Sequence, residues 1–209
     1  MSEDSSGRER LRDAAIESLA RRGLDATVRE IATDAGVTAG LITYHFGARA
    51  RLRAECDAEV LRRIRELNED GLRRSPEQQL AMLGEIDAQG STVAYALRLV
   101  REGGPAAREF MEQMIADTLN YLEAAVVTGV VKPSRDPVGR ARYLVAAQLG
   151  GLLLHADLLG LDLSDGPKLV RRIAAGTTYT ALELYTDGLL ANRSLLDQYL
   201  AGQEAEKNS

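Results

Sequence analysis

The sequence contains no tryptophan, two phenylalanines and seven tyrosines among 209 residues. A hydrophobic core here must therefore be built from Leu, Ala, Val and Ile. The single cysteine, Cys56, excludes an intrachain disulfide and fits a reducing interior. One cysteine and two histidines cannot furnish a usual structural zinc set, and there is no HExxH pair. A GxxxxGK[ST] phosphate loop is absent as well. Gly36-Val37-Thr38-Ala39-Gly40 imitates a nucleophile elbow with Thr for Ser, but that motif needs a preceding strand, and the residues before it read as a capped helix. No enzymatic activity, metal or cofactor is expected. The N-terminal MSEDSSGRER lacks the apolar segment of a signal peptide. The most apolar run, Leu144 to Leu161, is interrupted by Gln148, Gly150, Gly151, His155 and Asp157, so it reads as a buried helix and no membrane partner is expected. Together these absences predict a cytoplasmic protein.

Positive charge is also scarce: the net charge is −5, without the field of a general nucleic-acid binder. It is unevenly divided, however. Residues 1–53 hold nine Lys+Arg against eight Asp+Glu, and the remainder hold 17 against 23. Any affinity of the N-terminal part for a polyanion would depend on placed arginines: Arg8, Arg10, Arg29 and Arg49, with Arg51 read as a solvated charge. Each phosphate neutralised adds about 0.9 to the salt slope of binding.

What the sequence does have is the stretch Thr27 to Phe46, TVREIATDAGVTAGLITYHF. Thr27 and Glu30 stand at capping-box spacing, which satisfies two orphan N–H groups at a helix start. Val28, Ile31, Ala32 and Ala35 follow at i, i+3, i+4 and i+7, one apolar stripe. Gly36 sits where a left-handed residue ends that helix. Val37 plugs the corner and Thr38 caps the next helix, predicted from Ala39 to His45. With Ile42 and Phe46 facing inward, about 100° per residue turns Gly40, Leu41 and Tyr44 outward, with Thr43 on the flank. Gly, Leu and Tyr make a poor solvent face but suit a helix in a major groove. Gly40 allows close approach, Leu41 reaches a thymine methyl, and Tyr44 reaches a base edge or phosphate. The competing reading is an ordinary helical corner with one exposed Leu and Tyr.

Residues 10–56 resemble the DNA-binding domain of TetR-type transcriptional regulators. The matching elements are AAIESLARRG (Ala14–Gly23), the TVREIATDAGV run, then Gly40, Ile42, His45 and Phe46, and finally Arg49 and Leu52. The resemblance implies that Thr27, Arg29, Thr38, Tyr44 and His45 lie near DNA. It also implies that Arg49, where the family usually has Lys, contacts phosphate; guanidinium suits phosphate too. Thr43 stands where the family commonly has a phosphate-contacting Tyr, so the neighbouring Tyr44 is the compensating side chain. With Ala39, Gly40 and Leu41, these residues form the expected DNA-binding set.

The fold expected is all-α. A three-helix helix-turn-helix domain over residues 1–53, with a disordered arm at 1–7, precedes a larger ligand-binding and dimerisation domain over 54–209. Helix 1 is predicted from Arg8 to Arg22 with Gly23 as its stop, and helix 4 from about Ala48 to Asn68 without a flexible linker. Further helices are predicted over Ser75 to Asp87, Thr92 to Glu102, from after the Gly103-Gly104-Pro105 break to Val127, over Pro137 to Leu159 and Pro167 to Leu190, and from Asn192 or Ser194 to Leu200. Small residues on the last two long helices (Ala147, Gly150, Gly151; Ala174, Ala175, Gly176, Ala181) allow close helix packing. They fit either an intrachain core or a homodimer, and the family resemblance favours the dimer. Leu97, Phe110, Met111, Met114, Tyr121, Tyr143 and His155, with Val100, Leu119 and Leu122, are candidate lining for a small uncharged or lipophilic ligand. Core packing is the alternative for each. The expected function is a dimeric, ligand-responsive regulator, most simply a repressor, on a palindromic site in double-stranded DNA. The alternative is a helical small-molecule-binding module whose head contacts a protein partner.

Overall fold

The computed structural model describes residues 2–84 and 86–207. Its helices are α1 (Ser2–Arg22), α2 (Val28–Asp34), α3 (Ala39–Phe46), α4 (Arg49–Arg73), α5 (Pro76–Gly84), α6 (Gly90–Glu102), α7 (Gly104–Val127), α8 (Pro137–Leu158), α9 (Gly166–Thr186) and α10 (Ser194–Lys207), with a 3-10 turn at Ile86–Gln89. No strand occurs among the described residues, as the all-α reading requires. No helix among them is long and apolar enough to cross a membrane.

Several boundaries differ from expectation. α1 begins at Ser2, so the expected disordered arm is helical where it is described. No proline interrupts it, and Arg8 in the following turn is pinned by an ion pair with Glu55 and lies over the Phe46 ring at 5.3 Å. α4 continues to Arg73, since its alternating charges form i,i+4 pairs such as Arg62–Glu66 at 2.5 Å. α9 ends at Thr186, before Gly188 at φ +80, and α10 reaches Lys207 rather than Leu200.

The chain divides after Ile173 into two compact units. In the first, one hydrophobic cluster runs through Ile16 and Leu19 of α1, Ile31, Ile42, Phe46, Leu52, Cys56 and Val60 to Tyr95 and Leu99 of α6 and Phe110 of α7. A second cluster gathers Leu97 of α6, Val145, Leu149 and Ala156 of α8, Leu163, and Leu169 and Ile173 of α9. α6 therefore supplies both cores from two of its faces. Its own start is fixed by a close crossing: a Cβ on Gly90 would lie 2.5 Å from the Gly166 carbonyl carbon, inside the backbone that opens α9. The second unit contains the end of α9 and all of α10, and its large apolar side chains are exposed.

Candidate nucleic-acid interface

The helix-turn-helix forms through the local signals its sequence carries. The Glu30 N–H donates to Thr27 Oγ1 at 3.3 Å, and the Thr27 N–H donates to Glu30 Oε2 at 2.8 Å, closing the capping box. The backbone bond from Thr27 is the main reason the Glu30 carboxyl titrates below its usual range. Gly36 takes φ +66, and the bonds Val37 N–H to Ala32 O at 2.9 Å and Gly36 N–H to Thr33 O at 3.2 Å end α2 in a Schellman turn. Thr38 then accepts from the Leu41 N–H at 3.3 Å and starts α3.

α3 presents the face expected of it. Ile42 and Phe46 are 2% and 1% exposed and anchor the helix. Gly40, Leu41, Thr43 and Tyr44 are exposed, while Ala39 and His45 are half-buried. Tyr44 stands 77% exposed, its ring edge-on to His45 with centroids 5.2 Å apart. A Cβ on Gly40 would meet only Thr38 Oγ1, at an ordinary 3.8 Å, so packing within the chain does not require glycine there. The Thr43 hydroxyl donates back to the Ala39 carbonyl at 3.0 Å. That bond turns its proton away from any partner outside the helix. Arg29 is exposed on the first turn of α2, beside exposed Thr27.

Two of the arginines also make contacts within the chain. Arg49 donates from Nε to Ala26 O at 3.0 Å and from Nη2 to Leu24 O at 2.7 Å. It staples the start of α4 to the α1–α2 loop, because a loop carbonyl within reach of a guanidinium is otherwise left unpaired. These bonds fix where Arg49 stands at the start of α4. Arg8 is likewise engaged with Glu55 and Phe46. Arg10 and Arg51 are exposed, Arg51 at 3.5 Å from Glu55.

Sequence reasoning missed the groups that hold the head. Asp34 at the end of α2 accepts from Ser18 Oγ and Arg22 Nε, each at 2.6 Å, and Arg21 Nη2 lies at the same distance. The Arg22 bond above all, then Ser18, holds the Asp34 carboxyl far below the usual range. Arg98 of α6 donates to the carbonyls of Ala20 at 2.6 Å and Arg21 at 3.0 Å, closing the end of α1. Arg53 of α4 reaches Leu24 O, Asp57 and Glu102, and stacks over Tyr95, whose hydroxyl donates to Asp57 at 2.6 Å. Burial, then Asp57, pushes the Tyr95 hydroxyl well above its ordinary range, so it stays a donor. Cys56 is buried, which raises its thiol to about 12 and leaves it inert.

The candidate ligand residues separate. Leu97, Met111 and Met114 meet around the second core, and Phe110 belongs to the first. Tyr121 is half-buried. Tyr143 does not join them: it is 71% exposed, because it lies away from the Ala141, Val145 and Leu149 face of α8 that packs inward. His155 is half-buried, and its Nδ1 lies 2.8 Å from the Gly151 carbonyl of its own helix.

Known proteins share both parts. Residues 11–56 match the bacterial regulatory proteins of the tetR family, and residues 87–191 match the tetracyclin repressor-like C-terminal domain. The chain is 37% identical over 201 residues to the HTH-type transcriptional regulatory protein RaaS of Mycobacterium tuberculosis (strain ATCC 25618 / H37Rv), covering 96% of this chain and 94% of that protein. Its fold is similar to FadR from Bacillus subtilis in complex with stearoyl-CoA, with TM-score 0.55 and 19% identity over 87% of this chain and 99% of FadR. It is also similar to SmeT, the repressor of the Stenotrophomonas maltophilia multidrug efflux pump SmeDEF, with TM-score 0.52 and 22% identity over 81% and 89% of the two chains.

Proposed function

The chain belongs to the TetR family of bacterial regulatory proteins, and from that membership we propose that it is a transcriptional repressor that reads a palindromic operator as a homodimer and releases it on binding a small uncharged or lipophilic molecule. The matched family and relative are regulators of transcription, not enzymes. The observation that carries DNA reading is the outward face of α3. Leu41 and Tyr44 are 40% and 77% exposed beside a Gly40 that the chain's own packing does not need. A duplex backbone pressed against α3 gives that glycine its reason, leaving Leu41 and Tyr44 for base edges. Thr27, Arg29, Thr38, Ala39 and His45 frame the contact, and Arg10 and Arg51 flank it. Thr43, its proton bonded within α3, is a weaker candidate.

On this reading residues 1–53 are the DNA-binding part and 54–209 the ligand-binding and dimerising part, with α4 continuous between them. Dimerisation is supported by helices that are apolar on two sides. α8 buries Ala141, Val145, Leu149 and Ala156 but leaves Tyr143, Leu154 and Leu158 exposed. α9 buries Leu169, Val170 and Ile173 but leaves Tyr179, Leu182 and Tyr185 exposed. Pairing these outer faces across a twofold axis makes a four-helix bundle. The two α3 helices would then read half-sites about 34–36 Å apart, or a multiple of that. For the ligand, Leu97, Met111 and Met114 offer a pliable apolar lining. An acyl chain, the class held in the FadR structure, is a suitable occupant. Such a protein works in the cytoplasm, on the nucleoid.

Selection of bound duplexes from a random library, followed by titration of the enriched sequence at low salt, tests the proposal. A palindrome bound as two protomers per duplex is expected. No enrichment and no low-salt complex would overturn it, in favour of a head that docks on a protein.

A further inference from the structure

Arg8 of α1 joins the end of α3 to α4. Its guanidinium carbon lies 5.3 Å from the centroid of the Phe46 ring, and its Nη2 pairs with the Glu55 carboxylate. The Arg8 Nε is buried and has no hydrogen-bond partner. An unbonded buried donor is unfavourable. The side chain is therefore held by the ring face and the carboxylate, and a cation over an aromatic ring is attracted more strongly where water is excluded. Glu55 also lies 3.5 Å from exposed Arg51, so one carboxylate serves two arginines.

The Phe46 ring leads on to the exposed side of α3. It stands 6.4 Å from the His45 ring, which in turn meets the Tyr44 ring edge-on at 5.2 Å. Arg8, Phe46, His45 and Tyr44 thus form one continuous row from α1 to a side chain that is 77% exposed. α3 is eight residues long and buries Ile42 and Phe46, about one turn apart on a single stripe. Two anchors on one stripe seat a short helix on the core but oppose its roll weakly. A group that fixes the Phe46 ring from the side therefore sets the roll, and with it the direction of Tyr44.

We propose that Arg8 is a positioning residue for base reading: it acts through Phe46 and His45 on the pose of Tyr44, and touches no DNA. This rests on the DNA reading proposed above and extends it to a residue outside the helix-turn-helix. A phosphate contact is the other role open to the same cation, and the two behave differently. Loss of a phosphate contact weakens every duplex and makes the salt slope shallower by about 0.9. Loss of the clasp lowers only the preference for the operator. Glu55 separates the two roles further. Its carboxylate holds the clasp, so Glu55→Gln should lower the preference. A phosphate-bound Arg8 would instead gain from that substitution on all duplexes alike.

Anisotropy titrations of the full chain, below its melting temperature and at several salt concentrations, compare the selected operator with an unrelated duplex. In R8Q and E55Q the operator-to-unrelated affinity ratio is expected to fall about 10-fold, within the range of one lost base contact, with the slope unchanged in R8Q. R8K, charged but without the flat guanidinium, should recover part of the ratio. In a Tyr44→Ala background R8Q should lower the ratio no further. A ratio that R8Q leaves intact, or an R8Q loss undiminished once Tyr44 is gone, would overturn the proposal. The Tyr44 ring signals in aromatic 13C–1H spectra of the DNA-free protein supply a second measurement. They are expected to move in R8Q and less in R8K, and signals unmoved in both variants would also overturn it. A wild type without preference for any duplex would overturn the DNA reading itself, while the Tyr44 signals still decide whether Arg8 sets that ring.

Discussion

Arg98 Nε donates to the carbonyl of Ala20 at 2.6 Å, joining α6 to the last turn of α1 across a sequence separation of 78. Its Nη2 takes the next carbonyl, of Arg21, at 3.0 Å. A helix C-terminus leaves its last carbonyls open and carries partial negative charge, so a guanidinium there both closes bonds and opposes the dipole. α6 meanwhile supplies Tyr95 and Leu99 to one core and Leu97 to the other. Arg101 and Glu102 extend the same end of α6 to Asp157 of α8 at 2.5 Å and to Arg53 of α4 at 3.3 Å. Arg98 is therefore a positioning residue for α1 and, through Asp34, for the helix-turn-helix.

Arg98→Met is expected to lower unfolding stability by about 1–2 kcal/mol, the cost of charge-assisted hydrogen bonds lost at a partly exposed site. It should also weaken operator binding well below the melting temperature. Because Arg98 neutralises no phosphate in this geometry, the salt slope should be unchanged, and a slope shallower by about 0.9 would instead put Arg98 on the DNA. Arg98→Lys keeps the charge but not the two-carbonyl fork, and should recover only part of the affinity. Anisotropy titrations at several salt concentrations give both quantities.

The helix-turn-helix was legible in the sequence because its determinants are local. Thr27 with Glu30, Gly36, Thr38, and Ile42 with Phe46 all act within about one or two helical turns. Arg98 on Ala20, Arg49 on Leu24 and Asp34 under Ser18 were not legible. A sequence marks neither which carbonyl a distant guanidinium reaches nor which side of a two-sided apolar helix faces inward, and so it could not turn Tyr143 outward. The local signals carry their own test. Thr27→Ala removes one half of the capping box and should cost about 1 kcal/mol. That corresponds to a melting temperature roughly 2–4 °C lower in a chain of this size, followed by circular dichroism. Thr27→Ser should be nearly neutral, and an equal loss in both variants would place the effect outside the cap.

Gly90 should tolerate substitution far less than its helical position suggests. In most helices Ala for Gly is favourable by about 0.5–1 kcal/mol. Here the added Cβ would sit 2.5 Å from the Gly166 carbonyl carbon and 2.7 Å from Pro167 Cδ, and backbone cannot swing aside as a side chain can. Gly90→Ala is expected to destabilise by about 2–3 kcal/mol through overpacking. Gly71→Ala, with nothing within 4 Å of its added Cβ, should be neutral or stabilising. Urea unfolding of the pair separates the steric effect from helix propensity.

Acid should weaken the α1–α4 contact through Glu59. This carboxylate is 5% exposed and lies 2.7 Å from Arg62, 2.8 Å from Arg63 and 3.3 Å from Arg12. The Arg62 bond above all lowers its pKa from 4.5 to about 2. A depressed folded-state pKa means the stabilisation is fully present above the unfolded value and is lost as pH falls toward the folded one. Glu59 should thus stabilise the fold at neutral pH, an effect that fades between about pH 4.5 and 2. Glu59→Gln should lower stability at pH 7 and flatten its fall over that window. A variant with the wild-type acid profile would assign the fall to other carboxylates such as Asp34.

Tyr44 and Arg29 should fail differently when removed, and the difference separates reading from holding. Tyr44 projects from the middle of α3, its ring set edge-on to His45 rather than stacked into the core. Such a side chain adds discrimination if its hydroxyl or ring edge meets a base. Tyr44→Ala should then reduce operator affinity about 10- to 100-fold, on the scale of 1–3 kcal/mol per base contact. Affinity for an unrelated duplex should barely change. Arg29 is exposed at the start of α2, and on the proposed docking it would meet the phosphate backbone rather than the groove floor. Arg29→Ala should weaken both duplexes alike and make the salt slope shallower by about 0.9. Neither variant removes a core contact, so both should melt like the wild type. If Tyr44→Ala instead weakens both duplexes equally and changes the slope, Tyr44 is a backbone contact, and sequence reading passes to Leu41 and the close approach at Gly40.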